Sequence, residues 1–183
     1  MAREIGVVGA GGWGTALAKV LADKGEQVTL WCHSTASFRE LAEKRQNLTY
    51  LPGISLPDNL AVTQTLKNAL ADKSLVICAV PSHAVREVFT DAAAYFDGQT
   101  LLLCGTKGLE EATLHTMAEL FADILGATSK GRHGFLSGPT FAIEVARCLP
   151  AAVTVASTSE SLARSIQEIL STASLRVYTS LDV

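Results

Sequence analysis

A glycine-rich turn near the start of the chain constrains the fold more than any other feature. The segment GAGGWG at positions 9–14 fits the pattern G-x-G-x-x-G, and it lies between an apolar run at 5–8 and a helical pattern at 13–24. In that context Gly9 permits the tight turn, Gly11 lets a pyrophosphate approach the backbone, and Gly14 lets the helix pack close to the strand. We therefore predict a dinucleotide site here. The alternative is a strand-to-helix turn that binds nothing.

Apolar runs alternate with helical patterns along the rest of the chain, which is typical of a parallel sheet with helices on both faces. The predicted strands are 5–8, 28–31, 61–63, 75–80, 100–104, 135–136, 152–156 and 176–178, and the predicted helices are 13–24, 35–45, 66–71, 82–95, 114–125, 140–147 and 161–170. The segment between positions 45 and 60 is rich in turn-forming residues and is predicted to be a loop. The fold class is α/β, a Rossmann-like doubly wound, mainly parallel sheet, and residues 1–183 form one domain.

Composition excludes several classes of function. The formal net charge is −3, so no basic field is available to hold a nucleic-acid backbone. The four cysteines are far apart in sequence, which favours reduced thiols rather than disulfides or a metal site. His115 and His133, expected in a helix and a loop, have no carboxylate pattern around them, and we predict no metal. No secretory leader and no apolar run of about 18 residues is present, so we expect a cytoplasmic protein without a membrane span.

The end of the second predicted strand bears on the choice of nucleotide. NAD-binding domains usually carry an acidic residue there, about 20 residues after the glycine-rich turn. This chain instead reads LWCHS at positions 30–34, without an acid. A 2′-phosphate would therefore not be repelled, and His33 could donate a hydrogen bond to it. NADPH or NADH can be accommodated. The alternative for His33 is an ordinary loop histidine.

Other strand ends should converge on the same crevice, because ligands of open parallel sheets bind outside the carboxyl ends of the strands. Lys107 lies between glycines after the strand at 100–104, where a mobile cation could bind a phosphate or polarise a carbonyl. Gly138 and Thr140 flank Pro139 after the next strand, and exposed N–H groups there would suit an anion. The alternatives are a solvated lysine and ordinary helix capping. Ser82 fits an N-cap, and His83 fits a helix start better than an acid-base role.

Five segments, in this order, resemble the N-terminal domain of the bacterial-type NAD(P)-dependent glycerol-3-phosphate dehydrogenases. They are GAGGWGTALA from Gly9, TYLPG from Thr49, VPSHAVRE from Val80, GTKGLE from Gly105 and LSGPTFAIEVA from Leu136. The resemblance implies reversible hydride transfer between dihydroxyacetone phosphate and sn-glycerol 3-phosphate, a step that supplies phospholipid precursors. Two other functions stay open: a nucleotide-binding fragment without catalysis, and a different Rossmann reductase.

The resemblance also implies roles for particular residues. Gly12, Trp13, His33, Tyr50 and Ala142 match cofactor-contacting positions, Lys107 matches a residue near both nicotinamide and substrate, and Gly138 and Thr140 match substrate-binding positions. Family members often carry serine at positions 12 and 140, so Gly12 and Thr140 depart from the pattern, although backbone contacts survive both changes.

The family continues into a helical C-terminal domain. That domain supplies the lysine that donates or accepts the proton, together with an Arg-Asn pair for the substrate phosphate. The sequence ends at Val183, before any of these, so we expect the helical domain to be absent and this chain alone to be inactive. The full-length enzyme is expected to bind a small phosphorylated substrate and to form a homodimer.

Overall fold

Most of the strands form one continuous, twisted sheet with the predicted parallel arrangement. The computed structural model describes residues 2–126 and 131–183. Within them the strands are β1 (Glu4–Val8), β2 (Gln27–Trp31), β3 (Gln46–Asn47), β4 (Leu51–Ser55), β5 (Leu60–Thr63), β6 (Leu75–Cys78), β7 (Leu101–Cys104), β8 (His133–Ser137), β9 (Ala151–Ala156) and β10 (Leu175–Ser180). Eight of these described strands pair in the order β10-β9-β8-β7-β6-β1-β2-β5. The order reverses between β1 and β6, which is the switch point of a doubly wound fold.

Helices cover both faces of this sheet. In the described part of the chain they are α1 (Gly12–Asp23), α2 (Thr35–Lys44), α3 (Leu66–Leu70), α4 (Ser82–Ala92), α5 (Met117–Leu125), α6 (Ala142–Ala146) and α7 (Glu160–Leu170). Alternate residues of β6 face opposite cores: Leu75 and Ile77 pack with α1 and α7, whereas Val76 and Cys78 pack with α3, α4 and α5. A central strand of a parallel sheet is buried on both faces, which explains why its sequence is an unbroken apolar run.

The prediction of a loop between positions 45 and 60 is wrong in part, because the chain forms a small antiparallel hairpin there. Strands β3 and β4 pair with each other and not with the main sheet. Gly53, with a φ of +78°, lies inside β4, and Pro52 precedes it. Turn-forming residues normally indicate a loop, so the short strands gave no signal of their own. The side chain of Asn47 connects this hairpin to the glycine-rich turn.

One pairing of the main sheet is antiparallel. Strand β9 runs opposite to β8, with Ser137 opposite Thr154. The connection between them contains only the five-residue helix α6 and does not run back along the sheet. The chain therefore re-enters the sheet at the edge from which β8 left it, and residues 140–142 lie with the carboxyl ends of the central strands.

Several predicted helices were longer than those in the structure. Helix α5 begins at Met117 rather than 114, because Thr116 and Glu119 form a capping box. Helix α4 ends at Ala92 and continues as a 3₁₀ turn, Ala93–Tyr95. Helix α6 begins at Ala142, after Pro139, instead of at position 140.

The positions predicted for two histidines and for a helix cap were wrong, whereas the prediction of free cysteines agrees with the structure. His115 precedes α5 and His133 opens β8, so neither lies where it was expected. Ser82 is the first residue of α4 rather than its cap, a position that Pro81 takes. The four cysteines are free; Cys32, Cys78 and Cys104 are buried, but Cys148 is exposed. Among the described residues, no helix is both long and apolar enough to cross a bilayer.

Candidate functional site

The carboxyl ends of the central strands open into a cleft of about 650 Å³. Its walls come from six segments that are distant in sequence. They are the glycine-rich turn at 9–13, the end of β2 at 31–34, the hairpin residue Tyr50, the end of β6 at 79–82, the end of β7 at 105–107 and the segment after β8 at 140–142. A crevice at the switch point of an open α/β sheet is where such folds bind nucleotides.

Two glycines of the turn are required by contacts within the protein. Gly9 has a φ of +118°, and a Cβ there would lie 2.7 Å from the carbonyl carbon of Ala79. A Cβ on Gly14 would lie 1.9 Å from the carbonyl oxygen of Gly9. Both substitutions collide with backbone, so these glycines bring β1, β6 and α1 into close contact. Gly9 lines the cleft and Gly14 is buried behind it.

Gly11 differs from these two glycines. It is the N-cap of α1 with a φ of −72°, and a Cβ built on it would have no described atom within 4 Å. No described side chain caps this helix start, and its first turn contains no acidic residue. The first N–H groups of α1 therefore face the cleft without a protein partner, which suits a phosphate group. Gly11 leaves free the space that the pyrophosphate of a dinucleotide would need.

The remaining predicted cofactor positions surround the helix start. A Cβ on Gly12 would lie 3.6 Å from the Cβ of Ala142, so α6 covers the first turn of α1 closely. The indole nitrogen of Trp13 would lie 3.0 Å from a Cβ on Gly105, so the ring spans from α1 to the end of β7. His33 and Tyr50 are exposed on the walls of the cleft.

Lys107, Gly138 and Thr140 lie together at the other end of the cleft. The ammonium group of Lys107 donates a hydrogen bond of 3.2 Å to the carbonyl oxygen of Gly138, which also accepts a bond of 3.0 Å from the amide of Thr140. Lys107 and Thr140 line the cleft, and Gly138 lies just behind them, against β9. A Cβ on Gly138 would meet the carbonyl oxygen of Ala152 at 2.8 Å. The three predicted substrate positions are therefore neighbours in space.

The charge of the cleft is carried by few groups. Among the described residues that line it, none is an aspartate or glutamate, and Lys107 is the one lysine or arginine. Burial raises the pKa of Cys32 to about 11, so this thiol stays neutral at physiological pH. An anionic ligand would meet backbone N–H groups and a lysine without a fixed negative charge nearby. No group of histidine, cysteine and carboxylate side chains in the described ranges is arranged to hold a metal ion.

Asn47 is a buried residue that sequence reasoning missed. Its side chain is 3% exposed and donates hydrogen bonds of 3.0 Å to the carbonyl oxygen of Ala10 and 2.8 Å to the hydroxyl of Thr15. Its own oxygen accepts a bond of 3.1 Å from the amide of Tyr50. The hairpin is thus fastened to the glycine-rich turn, and Tyr50 is held at the cleft. In a single sequence Asn47 is one of several turn-forming residues of this segment, and no pattern distinguishes it from the others.

A glycine-rich strand-to-helix turn at the switch point of a doubly wound sheet, with an uncapped helix start facing an acid-free cleft, defines a dinucleotide-binding domain of the Rossmann type. Comparison with known proteins specifies the family. The family described as NAD-dependent glycerol-3-phosphate dehydrogenase N-terminus matches residues 4–163, and the chain belongs to it.

Individual relatives agree with this membership. Over all 183 residues the chain is 42% identical to glycerol-3-phosphate dehydrogenase [NAD(P)+] of Geobacter sp. (strain M21), covering 55% of that protein. It is 45% identical over 177 residues, 97% of this chain, to the same-named protein of Anaeromyxobacter sp. (strain K), covering 53% of it. The crystal structure of glycerol-3-phosphate dehydrogenase from Coxiella burnetii superposes with a TM-score of 0.92 at 35% identity, over 100% of this chain and 55% of that one. The chain therefore spans about half the length of the curated relatives it matches.

The contacts of Asn47 predict the effect of its removal. Asn47→Ala leaves the amide of Tyr50 and the acceptors on Ala10 and Thr15 without their partner, so we expect the free energy of unfolding to fall by about 1–3 kcal/mol. Urea unfolding measures this change. Asn68→Ala is the matched control, because Asn68 is exposed on α3, and it should shift stability by less than about 0.5 kcal/mol. Equal stability of the two variants would show that these bonds contribute nothing net.

Proposed function

We propose that this chain is the cofactor-binding half of an NAD(P)-dependent glycerol-3-phosphate dehydrogenase. The observation that carries the proposal is the juxtaposition of two sites in one cleft. An uncapped helix start with room at Gly11 lies at one end, and a lysine beside Gly138 and Thr140 lies at the other. The first suits the pyrophosphate of a dinucleotide, and the second suits a small anionic substrate at its reactive end.

The residues present fit a nicotinamide dinucleotide, which when bound would supply or accept the hydride. Gly9, Gly11, Gly12, Trp13 and Gly14 would form and support the pyrophosphate cradle. His33 and Tyr50 would line the path of the adenosine, and Ala142 would close the cradle from α6. Because no described lining residue is acidic, a 2′-phosphate would not be repelled, and we propose that both NADPH and NADH are accepted.

Lys107 is proposed to act on the substrate. Its ammonium group is held by one carbonyl oxygen and retains further N–H donors, so it can donate to the oxygen of a substrate carbonyl and stabilise the negative charge that develops there. Gly138 and Thr140 would hold the substrate beside it through backbone groups. The proton donor and the groups that bind the substrate phosphate are proposed to lie in a helical domain of the full-length enzyme. The homodimer and the cytoplasmic location stay predictions.

The substrate assignment is tested by turnover. A full-length protein that contains this chain is expected to oxidise NADPH or NADH when dihydroxyacetone phosphate is added. The loss of absorbance of the reduced nucleotide measures this reaction. Dihydroxyacetone without the phosphate is the control and should react far more slowly. No turnover with the phosphorylated ketone would show the substrate assignment to be wrong. The 183-residue chain alone should bind the nucleotide without turnover, and activity of that chain would contradict a proton donor located elsewhere.

Gly11→Val tests the proposed pyrophosphate cradle. The backbone at Gly11 accepts a side chain, and its Cβ would meet no described atom, so the variant should fold with an unchanged Tm. The added methyl groups would occupy the space proposed for the pyrophosphate, and we expect NADPH affinity to fall by roughly a hundred-fold or more. Gly98→Val is the control, because Gly98 also has open space but lies outside the cleft. Unchanged affinity in Gly11→Val would refute the cradle.

Lys107→Ala separates binding from chemistry. In the full-length protein we expect kcat to fall by roughly 10²–10³-fold, since one donor to the developing negative charge is lost. The Kd for NADPH, measured by fluorescence titration, should change by less than about three-fold, which is below 1 kcal/mol. Lys67→Ala, at an exposed position on α3, is the control and should leave both quantities as they are. Equal turnover of the wild type and Lys107→Ala would show that this lysine takes no part.

A further inference from the structure

The segment that carries Lys107 is anchored firmly on one side. The amide of Gly105 donates to the carbonyl oxygen of Cys78 at 2.8 Å, and the hydroxyl of Thr106 donates to the carbonyl oxygen of Val80 at 2.6 Å. Both bonds connect the end of β7 to the end of β6. Beyond them the chain passes through Lys107, which is exposed, and Gly108, which has a φ of +113°. The position of Lys107 therefore also depends on what holds the chain after Gly108.

Glu110 provides that second anchor. Although it follows three exposed residues, its side chain is only 9% exposed, and both of its carboxylate oxygens are occupied by Arg86 of α4. The Nε and Nη2 atoms of Arg86 donate to them at 2.6 Å and 2.8 Å, and the hydroxyl of Thr113 donates to the same carboxylate. Nη2 also donates to Asp123 of α5 at 3.0 Å.

Its geometry makes this cluster more than a pair of surface charges. A bidentate pair of an arginine and a carboxylate fixes distance and orientation together, which a single contact between flexible chains does not do. The ion pair with Arg86 lowers the pKa of Glu110 to about 2, so the carboxylate stays charged across the pH range of an assay. The cluster connects the segment at 105–110 to α4 and α5. The start of α4, at Pro81 and Ser82, itself lines the cleft.

We propose that Arg86 and Glu110 are positioning residues, which hold the segment at 105–110 so that Lys107 stays directed at Gly138 and the substrate end of the cleft. Neither residue lines the cleft, and both act through Lys107. The inference rests on the proposed function for its consequence in catalysis. A misplacement of about 1 Å in a group that contacts the reacting atoms is enough to cost roughly a hundred-fold in rate.

The chain contains a closely matched control for this cluster. Arg3 donates to Glu26 at 2.9 Å and to a second carboxylate, Glu168, at 2.7 Å. The exposures of the paired side chains are 36% and 7% for Arg3 and Glu26, against 39% and 9% for Arg86 and Glu110. Arg3 and Glu26 lie at the amino ends of β1 and β2, away from the cleft. Arg3→Gln and Arg86→Gln therefore each remove an arginine that bridges two carboxylates. They differ in location, and of the two arginines only Arg86 contacts its buried carboxylate in a bidentate way, because the second oxygen of Glu26 accepts from the backbone amide of Arg3.

The first measurement needs no turnover. In the full-length protein, Arg86→Gln should accelerate hydrogen exchange at the amide of Glu110, which is bonded to the carbonyl oxygen of His115, whereas Arg3→Gln should not. Unchanged exchange in Arg86→Gln would overturn the proposal whether or not the enzyme acts on dihydroxyacetone phosphate. Absence of turnover in the wild type, by contrast, would remove the proposed function and leave the exchange result to decide the role of Arg86 in holding the segment.

The second measurement separates positioning from general stability. Arg86→Gln is expected to lower kcat/KM for dihydroxyacetone phosphate by roughly ten-fold or more, and Arg3→Gln by less than two-fold, with the NADPH Kd little changed in both. In a Lys107→Ala background, Arg86→Gln should change kcat/KM by less than about two-fold, since its route to the substrate is already removed. Additive losses, or equal effects of Arg86→Gln and Arg3→Gln, would show that the cluster only supports the fold. Arg86→Lys keeps the charge but not the bidentate contact. Its kcat/KM for dihydroxyacetone phosphate should lie between the values of the wild type and of Arg86→Gln.

Discussion

The architecture of the site depends on two positions, Gly9 and Gly14, at which there is no room for a side chain. Without a Cβ at Gly14 the first turn of α1 can reach the carbonyl oxygen of Gly9, and without one at Gly9 the turn can reach the end of β6. These approaches place the start of α1 at the switch point of the sheet, where its unpaired N–H groups face outward. A residue of any other type at either position would push the helix away from the sheet and close the space that Gly11 leaves. Packing and ligand binding are therefore set by the same backbone contact.

The other walls of the cleft are held by polar contacts between segments that are far apart in sequence. Asn47 fastens the hairpin to the glycine-rich turn, Thr106 fastens the end of β7 to the end of β6, and Lys107 reaches Gly138 after β8. The contacts of Thr106 and Lys107 join strand ends that the strand order has already brought together, whereas Asn47 attaches a hairpin that lies outside the main sheet. The sheet thus supplies proximity, and a small set of hydrogen bonds supplies orientation.

Much of this arrangement was predictable because it follows from periodicity and from glycine. The buried strands, the turn at 9–14 and the convergence of Lys107, Gly138 and Thr140 rest on local patterns and on the rule that parallel strands end at one edge. The hairpin β3–β4, the role of Asn47 and the pairing of Arg86 with Glu110 were not predictable. The hairpin gave no signal because Pro52 and Gly53 lie in β4. Asn47 and the pair of Arg86 and Glu110 are ordinary residues that acquire their role from a partner 24 or more positions away. A single sequence records the residues but not which of them will meet.

The antiparallel pairing of β8 with β9 connects the fold to its chemistry. A parallel crossover after β8 would carry the chain away from the cleft, whereas the short return through α6 keeps Gly138, Thr140 and Ala142 at the carboxyl edge. That return brings β9 against Gly138, where a Cβ would meet the backbone of Ala152, and the resulting close packing orients the carbonyl oxygen that accepts from Lys107. The same short segment covers the helix start through Ala142. One change of strand direction therefore places Ala142, a wall of the nucleotide cradle, and Gly138, the partner of the lysine, within a few residues of each other.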